Sequence, residues 1–452
     1  MTGRAARLLG VAGLLLGLGL AAAASAETRL TIDQGRALAI RLVQAGQTTA
    51  ARDAARALLQ RDPDDVLALI VLSRAERDLG AYKAAQKAAR HASRVATNEK
   101  DRFAAALAMA QALSSDGRRT AAQFWLRRAA ELAPDDPSRA VAVRDFTYVR
   151  SRNPVSARLS FGAFPSSNVN DGPTSNMLVI GGIEFVNPDA VPLSGLGFSL
   201  GGDLSWRKAL GDKAGLTLGL SGSSTRYLLS EDARQKVPDA RAGDYATSSL
   251  SVSASYDQRF GKSLLSSKLE TGRDWQGGKA LADWTQLTFG LQRGMAERQA
   301  LSLALDLTDT QRLDTDLRSS QAIRGGAGWI LQTEGGDQWA SRLTLGNVTS
   351  DSAAVARREA ELRLDWHRGA PVLGAQLSAF ATLGLDQYDR ALPGLDIRRD
   401  VKARLGVMAL IRNVDYMGFA PEVGVVLSGT NSNIPALTTR KAELRLGIRS
   451  TF

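Results

Sequence analysis

The spacing of apolar residues changes once along this chain. From residue 27 to about residue 150, apolar residues recur at helical intervals in a stretch rich in Ala, Leu and Arg. After Pro154, apolar and polar residues alternate in segments of roughly ten to fifteen residues, separated by clusters of Gly, Asn, Asp and Pro. The two periods predict a multidomain fold, with an α-helical domain first and an all-β domain after it.

The helical half contains a repeat marked by glycines. Gly46, Gly80 and Gly117 follow one another at intervals of 34 and 37 residues. The small and helix-ending residues in matching positions are Ala50, Ala84 and Ala121, with Pro63 and Pro134. This arrangement is similar to tetratricopeptide repeats, which are binding scaffolds and carry no chemistry of their own. A nonrepeating helical domain is the alternative for residues 27–150.

The β half has segments with one apolar face and one polar face. In "LSLALDLT", the apolar set is Leu301, Leu303, Leu305 and Leu307, and the opposite set is Ser302, Ala304, Asp306 and Thr308. Six of the seven tryptophans lie after residue 200, most of them near predicted strand ends. An apolar exterior, a polar interior and girdles of aromatic residues are typical of a transmembrane antiparallel β-barrel.

Connector lengths predict the number of strands. Short and long connectors alternate, as expected for the two ends of an outer-membrane barrel. Counting from the segment at 176–185 to the end of the chain predicts about fourteen strands, so the barrel is assigned to 176–452. The segment 157–164 also alternates, but it would make the count odd. We therefore predict that 157–164 lies outside the wall, within a linker at 151–175. A barrel of about sixteen strands would require one further hairpin.

Both ends of the chain carry export features. Residues 1–26 have Arg4 and Arg7, then an apolar run, then Ala24-Ser25-Ala26, which predicts a secretory signal peptide; an uncleaved anchor is the alternative. The last segment, "AELRLGIRSTF", places Leu444, Leu446, Ile448 and Phe452 on one face. It resembles the terminal signal that barrel-assembly machinery recognises. The chain is therefore expected in the outer membrane, with its helical domain in the periplasm.

The composition restricts the partners and the kinds of chemical site that can be expected. The net charge of +11, in an exported protein, favours contact with anionic lipid or an acidic client over nucleic acid. The chain has no cysteine, so disulfides and thiolate metal sites are excluded. The two histidines, His91 and His367, have no neighbouring ligand pattern, and no Gly-x-Ser-x-Gly elbow is present. No enzyme activity, metal or cofactor is expected.

The junction between the halves reads "SARLSFGAFPSSNVNDGPTSN". A helical repeat domain, an Asn-rich element (Ser167, Asn168, Val169 and Asn170) and a barrel of this size together resemble the surface lipoprotein assembly modulator (Slam) family. The resemblance covers essentially the whole mature chain, although Ser166 stands where the family pattern has an acidic residue. By itself, the Asn-rich element could equally be a polar turn.

The resemblance implies a role in helping specific surface lipoproteins, or related secreted proteins, to cross the outer membrane. The implied partners are the client protein, the barrel-assembly machinery and outer-membrane lipid. The alternative function is polysaccharide export, since such porins also join helical repeats to a barrel. A passive nutrient porin would not explain the helical domain.

Overall fold

The computed structural model describes residues 30–450; the predicted signal peptide and Phe452 lie outside the described residues. The helices of this range are α1 (Ile32–Gln44), α2 (Thr48–Arg61), α3 (Val66–Asp78), α4 (Tyr82–Val95), α5 (Glu99–Ser115), α6 (Arg119–Glu131), α7 (Asp136–Arg152) and α8 (Glu231–Lys236). None of these described helices combines the length and the apolar character that crossing a membrane would need.

The three glycines predicted to mark repeats each end the first helix of a helix pair. Gly46, Gly80 and Gly117 follow α1, α3 and α5 with φ angles of +71°, +78° and +76°. These angles lie in the left-handed region, which glycine adopts without a Cβ clash and which commonly terminates helices. The N–H of Gly46 donates to Val43, and the next N–H reaches back to Leu42. The helical repeat architecture is thereby confirmed.

The alanines between paired helices lie one position later than predicted. Ala51, Ala85 and Ala122 are fully buried, whereas Ala50 and Ala84 are exposed. Neighbouring positions on a helix point about 100° apart, so a shift of one residue moves a side chain out of the contact. Ala51 and Ala122 belong to separate core clusters, which shows that each unit has its own packing surface.

Fourteen antiparallel strands form a closed barrel, and two short strands form a separate hairpin. The strands are β1 (Val155–Ser166), β2 (Met177–Ile180), β3 (Ile183–Val186), β4 (Gly195–Ala209), β5 (Ala214–Leu229), β6 (Thr247–Phe260), β7 (Ser263–Gln276), β8 (Lys279–Ala296), β9 (Gln299–Arg312), β10 (Ser320–Gln332), β11 (Gln338–Ser350), β12 (Arg357–His367), β13 (Ala375–Tyr388), β14 (Arg399–Ile411), β15 (Phe419–Ser432) and β16 (Thr439–Ser450). Consecutive strands are neighbours, and β1 lies between β16 and β4.

The predicted number of wall strands, about fourteen, is confirmed, but the identity of one of these strands was predicted wrongly. Strand β1, predicted to lie outside the wall, pairs with β4 along its whole length and closes the barrel against β16. The segment 176–185, predicted to be the first wall strand, forms the separate hairpin β2–β3. The wall therefore begins at Val155, not at 176.

The local sequence explains why the segment 176–185 forms a hairpin and not a wall strand. Gly181 and Gly182 have φ angles of +58° and +82°, as a two-residue hairpin turn requires. They divide the segment into two strands of four residues each. Four residues span about 13 Å, too short for an apolar band of about 25 Å.

The two ends of the barrel are distinct. Helix α7 ends at Arg152, so the helical domain lies beside the end at which β1 begins; we call this end the proximal rim and the opposite end the distal rim. The longest connectors, 167–194 and 230–246, lie at the distal rim. The alternation of short and long connectors is not strict, since β7 and β8 are joined at the distal rim by Gly277 and Gly278 alone.

Side chains alternate between the two surfaces of the wall. Large apolar residues of one parity, such as Leu303, Leu383 and Leu444, are between two-fifths and one-half exposed, whereas polar residues of the other parity, such as Asp386 and Glu443, are buried. Side chains converge on the concave face of a barrel and diverge on its convex face. The polar set therefore lines the lumen and the apolar set forms the exterior, as predicted.

Candidate functional site: a polar lumen with a helical domain at its proximal rim

The helical domain is joined to the barrel by contacts from α6 and α7. The turn 412–418, between β14 and β15, receives them at the proximal rim. Arg127 donates to the carbonyl oxygens of Met417 (3.1 Å) and Gly418 (3.2 Å). Glu131 accepts a hydrogen bond from the Met417 N–H at 2.9 Å, and Arg139 pairs with Asp415 at 2.8 Å. The helical domain is thereby fixed to one arc of the rim.

Arg127 is at the centre of this interface. Its guanidinium lies between the rings of Phe146 (4.8 Å) and Phe419 (4.5 Å), so one side chain from each domain stacks on it. Burial, with a contribution from nearby Arg150, lowers the pKa of Arg127 to about 10, and Asp415 acts in the opposite direction. The group stays cationic at neutral pH and can donate to the carbonyl oxygens of the turn.

One side of the lumen carries a continuous network of ion pairs. Glu359 of β12 accepts from Arg324 of β10 (2.5 Å) and pairs with Arg357 (3.0 Å). Arg357 also reaches Asp386 (3.2 Å), which pairs with Lys402 (2.5 Å). Positive and negative side chains alternate across these strands, so their charges largely neutralise one another.

A glycine makes this network possible. Gly346 of β11 lies between the strands of Arg324 and Glu359, and a Cβ at Gly346 would lie 2.9 Å from Glu359 Cγ and 3.1 Å from Arg324 Cγ. Without a side chain at Gly346, the two charged residues meet across the intervening strand. This is a close approach that only glycine permits.

The opposite side of the lumen is lined by small hydroxyl side chains. Ser221 of β5 and Ser251 of β6 are directly paired neighbours. Ser221 donates to Asp203 at 2.9 Å, and Ser251 donates to Glu270 at 2.8 Å. Small side chains leave more of the lumen to water than the charged wall does. These two arcs of the lumen are thus polar, one through ion pairs and the other largely through hydroxyl groups.

The Asn-rich element lies at the distal rim, not at the domain junction. Asn168 is fully buried, and its amide donates to the carbonyls of Gly172 (2.8 Å) and Arg440 (3.0 Å) while accepting from the Gly172 N–H (2.8 Å). Asn170 binds the backbone of Val191 and Leu193. The element starts at Ser167, immediately after β1, whereas the domain junction is at the other end of that strand.

Ser167 and Val169, the other two residues of the Asn-rich element, also contact the neighbouring strands and loops at the distal rim. Ser167 bonds the backbone of Ala442 in β16 through both its N–H and its hydroxyl. Val169 is buried in a cluster with Leu193, Leu229 and Ala233. The four residues predicted as a motif therefore hold the first distal loop against the strands on both sides of β1.

The predicted assembly signal maps to the last strand of the barrel. Leu444, Leu446 and Ile448 all lie on the exterior, each more than two-fifths exposed. Phe452 lies outside the described residues. Recognition of this strand by assembly machinery stays a prediction.

The interface residues Arg127, Glu131 and Arg139 were not singled out by the sequence. The helical half contains many arginines, and nothing in the spacing of these three differs from a solvated helix face. In the turn that receives them, Met417 and Gly418 both have positive φ angles (+52° and +73°), of which only the glycine could be read from the sequence.

No family model matches this chain, and no curated protein matches it. Among solved structures, its helical part is similar to SycD, a type III secretion translocator chaperone of Yersinia enterocolitica, with 18% identity, 27% of this chain and 88% of that chain covered, and a TM-score of 0.24. Its barrel is similar to a bacterial polysaccharide outer membrane secretin (10% identity, 65% and 98% covered, TM-score 0.33). It is also similar to an outer membrane channel of Pseudomonas putida (11% identity, 65% and 95% covered, TM-score 0.32).

These likenesses are distant, and the architecture rests on the strands of this chain themselves. A closed barrel with an apolar exterior and a polar lumen is built to stand in an outer membrane, because every strand satisfies its backbone by pairing and none presents a free edge to lipid.

Proposed function

We propose that this chain is an outer-membrane component that helps specific surface lipoproteins, or related secreted proteins, to reach the cell surface. In this proposal the proximal rim and the helical domain face the periplasm, and the distal rim faces the exterior. The observation that carries it is the attachment of a helical repeat domain to one arc of the proximal rim through Arg127, Glu131 and Arg139.

The attachment of the helical domain to the proximal rim suits a step in which a client protein is captured before it enters the lumen. A protein bound by the helical domain would be held beside the lumen entrance, where its effective concentration is high. The alternating charges of the lumen suit the passage of a polar chain without tight binding at any point. The Slam-like order of domains supports a protein client.

A groove on the helical domain is available for a client segment. It encloses about 310 Å³ and is lined by residues of α3, α5, α6 and α7, including Arg77, Gln111 and Tyr148. Tyr148 is more than half exposed, and Arg152 stacks on its ring at 3.8 Å. Tyrosine and arginine are both enriched among binding hot spots.

The test is surface display of a candidate client in a host that lacks the system. The client is co-expressed with the full chain, with the chain lacking residues 27–150, or with Tyr148→Ala, and whole cells are shaved with protease. Display should be lost without the helical domain and reduced by Tyr148→Ala, while heat-modifiable barrel persists in the membrane. The matched control is Phe124→Ala, an exposed aromatic outside the groove.

Unchanged display without the helical domain would contradict the proposal. A change in exported polysaccharide, with no change in any displayed protein, would favour the alternative of polysaccharide export.

A further inference from the structure

The exterior of strands β12–β16 is polar at only one level near the distal rim. Each of these five strands has one outward-facing polar residue within two positions of its distal end. We call this set the distal belt; its members are Arg358, Gln387, Arg399, Asn431 and Arg440.

Below the belt, the outward positions are apolar. Most of the large ones are more than one-third exposed: Leu362, Leu364, Leu383, Leu385, Val401, Leu405, Val407, Val425, Leu427, Leu444, Leu446 and Ile448. The belt therefore lies directly above a surface that hydrocarbon chains would cover.

The three arginines of the belt are exposed and lack carboxylate partners. Neighbouring arginines that face the lumen are paired: Arg357 with Glu359, Arg398 with Asp400 and Arg445 with Glu443. By contrast, Arg358, Arg399 and Arg440 meet no carboxylate at ion-pair distance within residues 30–450. Their charge is available to a ligand.

The spacing of the belt suits one ligand that spans several strands. Arg358 lies directly across from Gln387, which lies directly across from Arg399. Adjacent strands are about 4.8 Å apart, so the two arginines are about 10 Å apart with an amide between them. Arg440 lies beside Gly429, and a Cβ at Gly429 would be 3.1 Å from Arg440 Nη1. The missing side chain lets this guanidinium lie against the wall.

Only this arc of the described barrel carries three such arginines together; Arg226 of β5 also faces outward, but it stands alone and donates to the Thr247 carbonyl and the Ser248 hydroxyl. On the other side of the barrel, the outward-facing Arg273 makes two hydrogen bonds to Asp283, at 2.5 and 2.7 Å. Asp309, also outward, accepts from Gln321 at 3.2 Å. At the proximal rim the exterior carries aromatic residues instead, including Trp339 and Trp366 with ring centroids 6.1 Å apart.

We propose that the distal belt binds the phosphate groups of a phosphorylated membrane lipid in the leaflet at the distal rim. Guanidinium groups match phosphate oxygens with two parallel hydrogen bonds, and the intervening amides donate to the same oxygens. The acyl chains of the lipid lie along the leucines and valines below. This site does not depend on the proposed transport function.

The experiment uses full-length protein in detergent. Native mass spectrometry measures the binding of a bisphosphorylated lipid A, compared with the same lipid after removal of both phosphates. The wild-type protein is expected to prefer the phosphorylated form. Replacing Arg358, Arg399 and Arg440 together by Gln should weaken that binding by about tenfold or more, since each basic residue at a membrane surface adds to the attraction for an anionic lipid.

The control removes the same charge elsewhere. Arg41→Gln, Arg61→Gln and Arg94→Gln change three exposed arginines of the helical domain, and lipid binding should stay at the wild-type level. Heat-modifiable mobility reports whether each variant is folded. Equal binding of the two lipids by the wild-type protein, or an equal loss in both triple variants, would overturn the proposal. The wild-type comparison decides the matter even if the belt variant does not fold.

Discussion

Arg127 Nη2 of helix α6 lies 2.8 Å from the hydroxyl oxygen of Ser450, the last described residue of β16. The same guanidinium binds the carbonyls of the turn between β14 and β15. Strand β16 also closes the barrel against β1. One arginine therefore ties the helical domain to the strand at which the barrel closes.

The first prediction concerns this tie. Arg127→Met should loosen the helical domain and make the chain near Asn153 and Pro154 more sensitive to protease. The loss of its hydrogen bonds should lower the stability of the docked state by about 2 kcal/mol. Limited proteolysis in detergent measures this. Arg144→Met is the control, because Arg144 is exposed and pairs only with its neighbour Asp145. Equal protection of Arg127→Met and wild type would show that the contact does not hold the domains together.

The second prediction tests which face of the wall meets lipid. Leu303→Arg, on the exterior, should destabilise the barrel by about 2–4 kcal/mol if the site lies near the middle of the bilayer. Ser302→Arg should be tolerated far better, because Ser302 faces the lumen beside Gly328, which has no side chain. Unfolding in lipid vesicles compares the two. Similar unfolding of both variants would mean that the faces have been assigned wrongly.

The third prediction concerns the Asn-rich element. Asn168→Ala should lower stability by about 1–3 kcal/mol, because the N–H of Gly172 loses its buried acceptor and the carbonyl of Gly172 loses a donor. The thermal midpoint in detergent is the measurement. Asn187→Ala is the control, since Asn187 is exposed and its side chain accepts one local hydrogen bond, from the Asp189 N–H. If the two variants unfold at the same temperature, the element is a polar turn without a structural role.

The fourth prediction is a pH dependence at the proximal rim. Asp337, in the turn between β10 and β11, accepts hydrogen bonds from the Gly369 N–H (2.8 Å) and the Trp366 indole N–H (3.0 Å). These two bonds, in that order of importance, lower its pKa. A carboxyl with a lowered folded-state pKa contributes stability above its unfolded pKa of about 3.9, and this contribution is lost as the pH falls through the folded value.

Trp366 fluorescence and hydrogen exchange at Gly369 measure that loss. Acidification below about pH 4 should release both groups in the wild-type protein. Asp337→Asn should already be partly released at neutral pH and should respond little to acid. A wild-type turn that stays protected well below that range would contradict the assignment.

Several features of the fold could be predicted from short stretches of the sequence. The change of period near Pro154 separates α from β, and the left-handed glycines at 46, 80 and 117 separate the paired helices. The position of the buried alanines was missed by one residue, because helical spacing alone does not define where the neighbouring helix lies. Gly181 and Gly182 did contain the signal for a hairpin, but the alternation around them read as a wall strand.

The membership of the wall was decided by pairing between distant residues. Both β1 and the β2–β3 segment alternate, so alternation alone would allow either of them to be counted as the fourteenth wall strand. Phe161 meets Ile448 across the closure, a contact between residues far apart in sequence. Nothing in the alternation around Phe161 indicates that its partner is the last strand of the barrel.

By itself, the sequence determined the elements and their two faces, because alternation and helical spacing are properties of residues a few positions apart. Only the tertiary structure decided which strand closes the barrel and which arc of the rim receives the helical domain. It also decided which arginines meet a carboxylate in the lumen and which face outward without one. Those outcomes depend on partners brought together by closure, because hairpin turns fix the register of neighbouring strands, whereas the register at the seam exists only once β1 and β16 meet.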